Sequence, residues 1–284
     1  MSHVREILRP PAPPLLYHYS NQSGLLGIVR SKEIWASHTQ FLNDQEEYRH
    51  AVSIARRLIQ QMHVIPPWNG HADILNQMEE ALEGIESINV CVCSFSERGD
   101  VLSQWRAYSG GTSGFSIGFE GQLLRDVADA IEFWLVPCQY KRHEQEELVQ
   151  RLLEDVINEI IEWRTKERPP TTINRGGNLV AYLNRYAPII KHHSFEEERE
   201  WRLISQPLMC DMERFDYRPG TSMLVPHYKI PLWTSTQPFK IRRLFIGPTP
   251  HPIQSKSSAE GMLIKHGLEH ENIVVNSESP FRNW

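Results

Sequence analysis

Three short segments of the chain bring histidine, serine, glutamate and aromatic side chains close together in sequence. They are LYHYS at 16–20, CSFSE followed by QWRAYSGG, and FEEEREWRLIS at 195–205. Each coincides with a predicted strand or with its edge, and alternate residues of one strand share a face of the sheet. Such placement is typical of a cleft along a sheet, where a few polar side chains meet a small ligand.

The third segment carries a pair of carboxylates. Glu198 and Glu200 are two residues apart, so on a strand both would project to the same side. Two carboxylates on one side repel each other unless cations or a substrate compensate. A solvated edge, in which Arg199 and Arg202 neutralise the acids at roughly 0 to 1 kcal/mol for each pair, explains the same run. Trp201 between them indicates alternation instead, which turns one side of the strand inward.

Structural roles explain the other candidates as well. A histidine such as His18 on an apolar strand is usually part of a core. Ser94 and Ser96 fit the end of a strand. Trp105 and Tyr108 have the spacing of a helix that packs against a core. The residues alone therefore leave a ligand site and ordinary packing open as alternatives.

No other motif in the sequence points to a metal or to a nucleotide loop. None of the thirteen histidines has a ligand spacing such as HExxH, and a Walker lysine loop, a GxSxG elbow and a GxGxxG after a strand are all missing from the sequence. Asn43 and Asp44 ahead of two glutamates fit a helix N-cap. We therefore expect no metal.

Composition predicts a folded, soluble protein of the cytoplasm. Of its 284 residues, 40% are hydrophobic and 23% are charged. The net charge of -5 gives no overall basic field for nucleic acid, although local binding stays open. The N-terminus lacks an apolar signal core, and no segment approaches the roughly twenty apolar residues that span a bilayer, so no membrane partner is expected. Four cysteines without paired zinc spacing are predicted to be buried reduced thiols: Cys91, Cys93, Cys138 and Cys210.

The elements that must position these residues predict an α+β fold. Residues 1–14, rich in proline, are expected to form an extended lead-in, and residues 15–284 a single domain. Strands come in groups rather than in regular alternation with helices, which favours a mixed, mostly antiparallel sheet with peripheral helices. A charged amphipathic helix over Arg142–Arg168 and a second helix around Leu179–Lys191 predict a helical hairpin inserted at about 142–192.

Local signals predict the ends of further elements. Ser23 is expected to cap a helix that ends at Arg30, and a cap at 43–44 precedes a helix that ends near His63. INVCVCSFS is short and rich in β-branched residues, which favours a buried strand. Another strand is predicted over Glu132–Tyr140.

The motifs, taken in order, resemble a bacterial family. They are LYHYS, GLLGIV, IWAS and FLND near the start, CSFSE, QWRAY and GFSIGF in the middle, and EEREWRLI, IGP and SPFR towards the end. Through these motifs the chain is similar to the family named domain of unknown function 2971. This similarity covers most of the chain. The family name implies no activity.

A second resemblance concerns function. The chain has an HY pair on the first strand, a Ser-aromatic-Ser on a middle strand and a Glu-x-Glu on a later strand. Together these three motifs resemble the three-part signature of ADP-ribosyltransferases. The opening strand, helix and strand are similar to those of the DNA-modifying ADP-ribosyltransferases of toxin systems. The resemblance implies an ADP-ribosyltransferase-like split sheet with NAD as the substrate. The chain departs from the pattern in the wide separation of its second and third clusters, between which the helical hairpin lies.

Carried over to this sequence, the resemblance implies a role for each position. His18 would hydrogen-bond the adenosine-side ribose, and Tyr19 would help to seat the nicotinamide. Ser94 and Ser96 would support the nicotinamide pocket. Glu200 would be the catalytic carboxylate. Glu198 would orient the acceptor, and Tyr108 or Trp105 would form a stacking wall. Arg202 is a further candidate for binding the cofactor.

The function implied in this way is transfer of ADP-ribose from NAD to a nucleic acid or a protein, in a bacterial toxin or phage-defence system. The residue types suit the reaction, because a carboxylate near the ribose stabilises the oxocarbenium-like charge that develops as the bond to nicotinamide breaks. Glycosidases use carboxylates in the same way.

Two other functions stay open. A module that binds a nucleotide or nucleic acid without turnover predicts that Glu200 lies far from any ribose-sized space and that four cations lie near the cleft. A metal-dependent nuclease or hydrolase requires Glu198, Glu200 and Asp44 to converge. The four cations of the binding module would be Arg106, Arg202, Arg242 and Arg243.

Overall fold

One sheet of ten strands runs through the part of the chain that the structure describes. The computed structural model describes residues 9–41, 45–83, 89–108, 113–165 and 175–279. Most strands are short runs rich in β-branched and aromatic residues, which suit a pleated and buried surface. In chain order they are β1 (Leu15–Ser20), β2 (Glu33–His38), β3 (Cys91–Ser96), β4 (Phe115–Glu120), β5 (Trp134–Pro137), β6 (Glu200–Ile204), β7 (Phe215–Pro219), β8 (Leu224–Pro231), β9 (Arg243–Ile246) and β10 (Val274–Asn276).

The sheet forks at β3. The strand order is β10-β9-β4-β1-β3-β2-β8-β7, and β6, with β5 beyond it, also pairs with β3. The pairings are antiparallel except for the parallel pair of β9 and β10. Because β6 follows β3 from Val92 to Ser96, β1 and β2 must share the opposite edge. Tyr17 of β1 lies opposite Ser96 and Ser37 of β2 lies opposite Val92, so the two strands leave a gap beside the middle of β3.

Helices cover both faces of the sheet. Alternation along β3 sends Cys93 and Phe95 to one face and Val92 to the other, and each face has its own hydrophobic core. The helices are α1 (Gln22–Ser31), α2 (Gln45–Met62), α3 (Ala72–Glu83), α4 (Leu102–Tyr108), α5 (Gly121–Ala130), α6 (Arg142–Thr165), α7 (Arg175–Tyr186) and α8 (Pro252–Lys265). We call the core that α1, α5 and α8 close the first core, and the one that α2, α3, α6 and α7 close the second core.

The second core depends on the predicted helical hairpin. Leu148, Leu152, Val156 and Ile160 of α6 recur at helical spacing and are buried, while charged side chains cover the outer face. α7 packs beside α6 and against α3. The hairpin is therefore present, and it supplies much of the apolar layer over β3, β5 and β6.

The predicted α+β class, with a mixed and mostly antiparallel sheet, is confirmed. Some helix ends were predicted wrongly. The side chain of Asn21, rather than that of Ser23, caps α1 by accepting a hydrogen bond from the Gly24 amide at 2.8 Å. α7 occupies 175–186 rather than 179–191, although the two glycines in its first turn have a low helix propensity. The cap predicted at 43–44 lies outside the described residues.

Two further predictions need correction. β5 covers only four residues of the strand expected over 132–140, since it pairs with β6 alone and ends at Pro137, which has no amide proton to donate. Cys210 is exposed in the segment between β6 and β7, whereas Cys91, Cys93 and Cys138 are buried as predicted.

The lead-in packs against α5. Residues 9–14 carry no helix or strand. The Gly121 amide donates to the Pro14 carbonyl at 3.1 Å, and Arg125 donates to the Pro10 carbonyl at 2.9 Å. These contacts fix the chain immediately before β1. None of the helices in the described ranges combines the length and apolar character that a bilayer crossing requires.

Candidate active site

A small cavity lies beside the fork, where β1, β3 and α4 meet the start of β6. Its volume is about 70 Å³, which is room for a few water molecules. The three segments singled out by the sequence all contribute to its wall, although they are far apart along the chain. The lining residues are Tyr17, His18, Tyr19, Ser94, Phe95, Ser96, Gln104, Tyr108, Glu198 and Glu200.

His18 occupies the fork itself. Its Nδ1 lies 3.0 Å from the Ser94 carbonyl oxygen, and because a carbonyl only accepts, Nδ1 carries the proton. This bond satisfies a β3 carbonyl at the point where β1 departs from the ladder. Burial lowers the pKa of His18 and outweighs the hydrogen bond to Ser94, which raises it, so the ring is neutral at pH 7. Nε2 has no hydrogen-bond partner among the described residues, and the ring lines the cavity.

Two aromatic residues predicted to bind the cofactor are used in packing. The Tyr19 hydroxyl donates to the Arg98 carbonyl at 2.8 Å and accepts from the Val101 amide at 3.1 Å, so only its ring faces the cavity. Trp105 is 1% exposed and meets that ring edge-on, at 4.8 Å between centroids. Trp105 therefore supports Tyr19 from behind. Tyr108 is the exposed aromatic side chain of the wall, at 48%.

The two serines of β3 have different surroundings. Ser96 is buried, and its hydroxyl donates to the Glu198 carbonyl at 2.6 Å while accepting from the Arg98 amide at 3.0 Å. It thus fixes the backbone next to the acidic pair. The Ser94 hydroxyl lines the cavity and has no hydrogen-bond partner in the described part of the chain. Ser94 therefore offers a polar group to a ligand.

The carboxylates of Glu198 and Glu200 converge, but not for the reason that the sequence gives. Only Glu200 is on β6, because Glu198 ends a 3-10 helix over His193–Glu198 and Arg199 turns the backbone with φ 42°. The same-strand prediction is therefore wrong for Glu198. Both carboxylates meet at Lys191, whose ammonium lies 2.6 Å from Glu198 Oε2 and also bonds to Glu200 Oε2.

Arg202 holds Glu200 from the side away from the cavity. Alternation along β6 sends both side chains to the same face, and Arg202 Nε donates to Glu200 Oε1 at 2.7 Å. Its Nη1 donates to Glu47 of α2 at 2.8 Å and to the Pro188 carbonyl at 2.7 Å. The guanidinium is almost fully buried, so Arg202 positions the carboxylate rather than lining the cavity.

The charges of this network stabilise one another. Burial alone would raise the pKa of Glu200, but Arg202 and Lys191 outweigh it and lower the pKa to about 2. Burial would lower the pKa of Lys191, but the Glu200 carboxylate outweighs it and raises that pKa. Glu200 is therefore an ionised carboxylate at a largely enclosed wall, with its charge fixed in direction and position.

Three residues of the site carry no local signal in the sequence. Lys191 was placed at the end of a helix, and Glu47 was read only as part of a helix cap. Tyr140, whose hydroxyl accepts from the Glu200 amide at 2.8 Å, lies sixty residues before it. The one available signal was general: a buried carboxylate pair requires a buried cation.

Two of the four cations of the binding-module hypothesis lie near the cavity, namely Arg202 in the ionic network and Arg243, whose charge acts on Tyr17 of the wall. Arg202 is part of the network, and Arg106 is exposed on α4. Arg242 pairs with Glu120 at 2.5 Å, on the far side of β4 from β3. Arg243 lies over the ring of Phe245 at 5.5 Å.

The two glutamates of the metal hypothesis, Glu198 and Glu200, both contact a lysine side chain. The Lys191 ammonium lies between Glu198 and Glu200, at the place where a metal ion would bridge them. Asp44, the third acid of that hypothesis, lies outside the described residues. Within the described ranges no group of three His, Cys, Asp or Glu side chains has the spacing of a metal site.

Comparison with known proteins supports the family. Residues 104–203 match the family model described as Protein of unknown function (DUF2971). The match is narrower than the motif similarity, and it extends from the start of α4 to β6, which includes Lys191, both carboxylates and Arg202. No curated protein and no solved structure matches the chain. The match supports the family predicted from the motifs, over residues 104–203 of the chain.

Proposed function

We propose that the cavity is the reaction centre of an ADP-ribosyltransferase-like enzyme, which consumes NAD and modifies a nucleic acid or a protein. The observation that carries the proposal is the convergence of His18, Ser94–Ser96 and Glu200 on one cavity. An ionised carboxylate beside a neutral imidazole suits the cleavage of a ribosyl-nicotinamide bond, in which positive charge moves onto the ribose. We place the activity in the cytoplasm, where NAD is available, and in a toxin or phage-defence system as the resemblance implies.

In the proposed reaction, the bond between ribose C1′ and the nicotinamide ring nitrogen breaks. Its electron pair goes to the ring, and nicotinamide leaves as a neutral molecule. The Glu200 carboxylate stabilises the oxocarbenium-like ribose. An oxygen or nitrogen of the acceptor then bonds to C1′, and its proton passes to Nε2 of His18, since the Ser94 carbonyl engages only Nδ1. In this step His18 acts as a base, rather than as the contact to the adenosine-side ribose that the resemblance implies.

The ionic network supports this proposal through preorganisation. Lys191 and Arg202 fix both oxygens of Glu200, so the carboxylate does not have to reorient when positive charge develops on the ribose. The cavity of about 70 Å³ is smaller than a ribose with its nicotinamide, so the proposal requires the mouth of the cavity to widen as NAD enters. The rest of the dinucleotide extends past the half-exposed ring of Tyr108 at the wall.

The test compares nicotinamide release from NAD by the wild type, Glu200→Gln and Glu197→Gln. Glu197 is an exposed acid of the adjacent 3-10 helix, so its substitution removes one negative charge without touching the cavity. We expect Glu200→Gln to lose on the order of 100-fold or more in rate, as for loss of a transition-state electrostatic contact, and Glu197→Gln to match the wild type.

Circular dichroism of each variant shows whether it is folded. Ser94→Ala provides a second variant, because its hydroxyl bonds to no described residue and its loss leaves the network intact. Equal nicotinamide release by the wild type and by folded Glu200→Gln overturns the proposal.

A further inference from the structure

One face of α2 presents a line of hydrogen-bond donors. Arg49, Ser53, Arg56 and Gln60 follow one another at intervals of three or four residues, so their side chains lie in one row along the helix. At about 1.5 Å of rise per residue, the row is about 16 Å long. The opposite face of α2 is buried in the second core.

A groove of about 560 Å³ accompanies this row. Arg57, also in its wall, bonds to Glu146 of α6 at 2.8 Å, and Leu82 of α3 contributes an apolar contact surface. Tyr48 adds an aromatic ring at one end. Three of the described residues that line the groove are arginines and none is acidic, and of these arginines Arg57 is paired with Glu146.

We propose that this groove, the α2 groove, binds the phosphodiester backbone of a single-stranded nucleic acid. Guanidinium, hydroxyl and amide groups are the donors that proteins direct at phosphate oxygens. A single phosphate or carboxylate needs only a cluster of donors, whereas a row of this length matches an anion that repeats along a chain. A positive groove with an aromatic ring is typical of proteins that bind single strands.

The inference that the nucleic acid is single-stranded rests on the proposed function. The wall of the cavity is largely buried in the fold, so a group of a nucleic acid base can reach it only when that base is unpaired or extruded from a duplex. α2 also connects the two sites, because Glu47 in its first turn holds Arg202 behind Glu200. The nucleic acid in the α2 groove is therefore the acceptor class that we assign to the cavity.

The test is fluorescence anisotropy of a labelled oligothymidylate of about 12 nucleotides with the full-length protein. The variant is Arg56→Glu with Gln60→Glu, two exposed positions in the row. The control is Arg30→Glu with Gln22→Glu, which changes the net charge by the same amount. Both positions are on α1, which packs over the first core and so lies on the other face of the sheet from α2. We expect the groove variant to bind roughly tenfold more weakly or worse at about 50 mM salt and to show a shallower salt dependence. The control should bind within about twofold of the wild type.

The inference is overturned if the wild type does not bind at low salt or if both double variants weaken binding equally. Tighter binding of a duplex of the same length, or equal competition by a polyglutamate peptide, would also overturn it.

Failure of this inference is distinguishable from failure of the proposed function. Glu200→Gln leaves the α2 groove intact and should bind the oligonucleotide as the wild type does. Groove-dependent binding without nicotinamide release would keep the α2 groove and remove the proposed enzyme.

Discussion

At the scale of single residues, the acidic wall of the cavity depends on Lys191. Its ammonium bonds to both Glu198 and Glu200, and all three side chains are almost fully buried. Without it, two carboxylates face each other where water cannot screen them, and Arg202 compensates only Glu200. Loss of one partner from a buried ion network is therefore costly, because the remaining charges stay buried.

We expect Lys191→Met to lower the free energy of unfolding by about 3 to 5 kcal/mol, measured by urea denaturation. Lys141→Met is the matched control, because Lys141 pairs with Glu144 at 3.0 Å while its side chain is 60% exposed. That change should leave the free energy of unfolding close to the wild-type value, because water screens an exposed pair. If the two variants are equally stable, the network does not hold the wall together.

A second residue-scale prediction concerns pH. The pKa of Glu200 is about 2 in the folded chain, where Arg202 and Lys191 outweigh its burial, and an unfolded glutamate titrates near about 4.3. The ionised form of Glu200 therefore stabilises the folded state above about pH 4.3. This stabilisation is lost as the pH falls towards about 2, because the unfolded state takes up a proton at a higher pH than the folded state does.

The contribution is on the order of 3 kcal/mol. We expect the difference in unfolding free energy between the wild type and Glu200→Gln to shrink as the pH is lowered from about 5 to about 2. Urea denaturation at several pH values measures this difference, in which the other titrating groups largely cancel. A difference that does not change with pH would contradict the assigned pKa.

The sequence predicts which residues gather in the cavity better than it predicts how they are held. Residue types marked three segments as candidates, and the resemblance to ADP-ribosyltransferases then selected His18, the serines of β3 and Glu200. The partner of Glu200 could not be found in this way. Lys191 reaches it only because the 3-10 helix over His193–Glu198 reverses the chain, and that turn has no strong sequence signal.

At the scale of elements, the contact between the lead-in and α5 leaves no room for a side chain. A Cβ on Gly121 would lie 1.9 Å from the Pro13 carbonyl oxygen, whereas a Cβ on Gly27 of α1 would have no atom within 4 Å. The Pro13 carbonyl cannot move alone, because Arg125 bonds to the Pro10 carbonyl and fixes the lead-in. Gly121 is therefore required by a close backbone approach.

We expect Gly121→Ala to lower the free energy of unfolding by about 1 to 3 kcal/mol, as for overpacking. Gly27→Ala should leave it unchanged or raise it by up to about 1 kcal/mol, because alanine favours a helix more than glycine does. Thermal unfolding of both variants measures the contrast. Equal stabilisation by the two substitutions would show that the lead-in does not pack on α5 as described.

Elements were predictable where a local pattern repeats, and their ends were not. The 3.6-residue spacing of α6 and the β-branched run of β3 each identify an element without tertiary information. The fork at β3 depends on pairing among strands separated by dozens of residues, which no local pattern records.

At the scale of the whole molecule, the two cores share their central strands. β3, β5 and β6 send alternate side chains to opposite faces, so Leu135 lies in the first core and Val136 in the second. Loss of either helical layer exposes one side of the same three strands. We therefore expect the two cores to unfold together as one cooperative unit.

Leu153→Ala tests this coupling. Leu153 of α6 is fully buried in the second core, and its truncation should cost about 2 to 5 kcal/mol. Hydrogen exchange of the slowest amides should then lose the same amount of protection in α6 and in α1, although α1 lies over the first core. Ile253→Ala is the control, since Ile253 is 80% exposed and its truncation should change neither helix. Lost protection in α6 with α1 unaffected would show two units that unfold separately, and the hairpin would then be an appendage rather than half of the fold that holds the cavity.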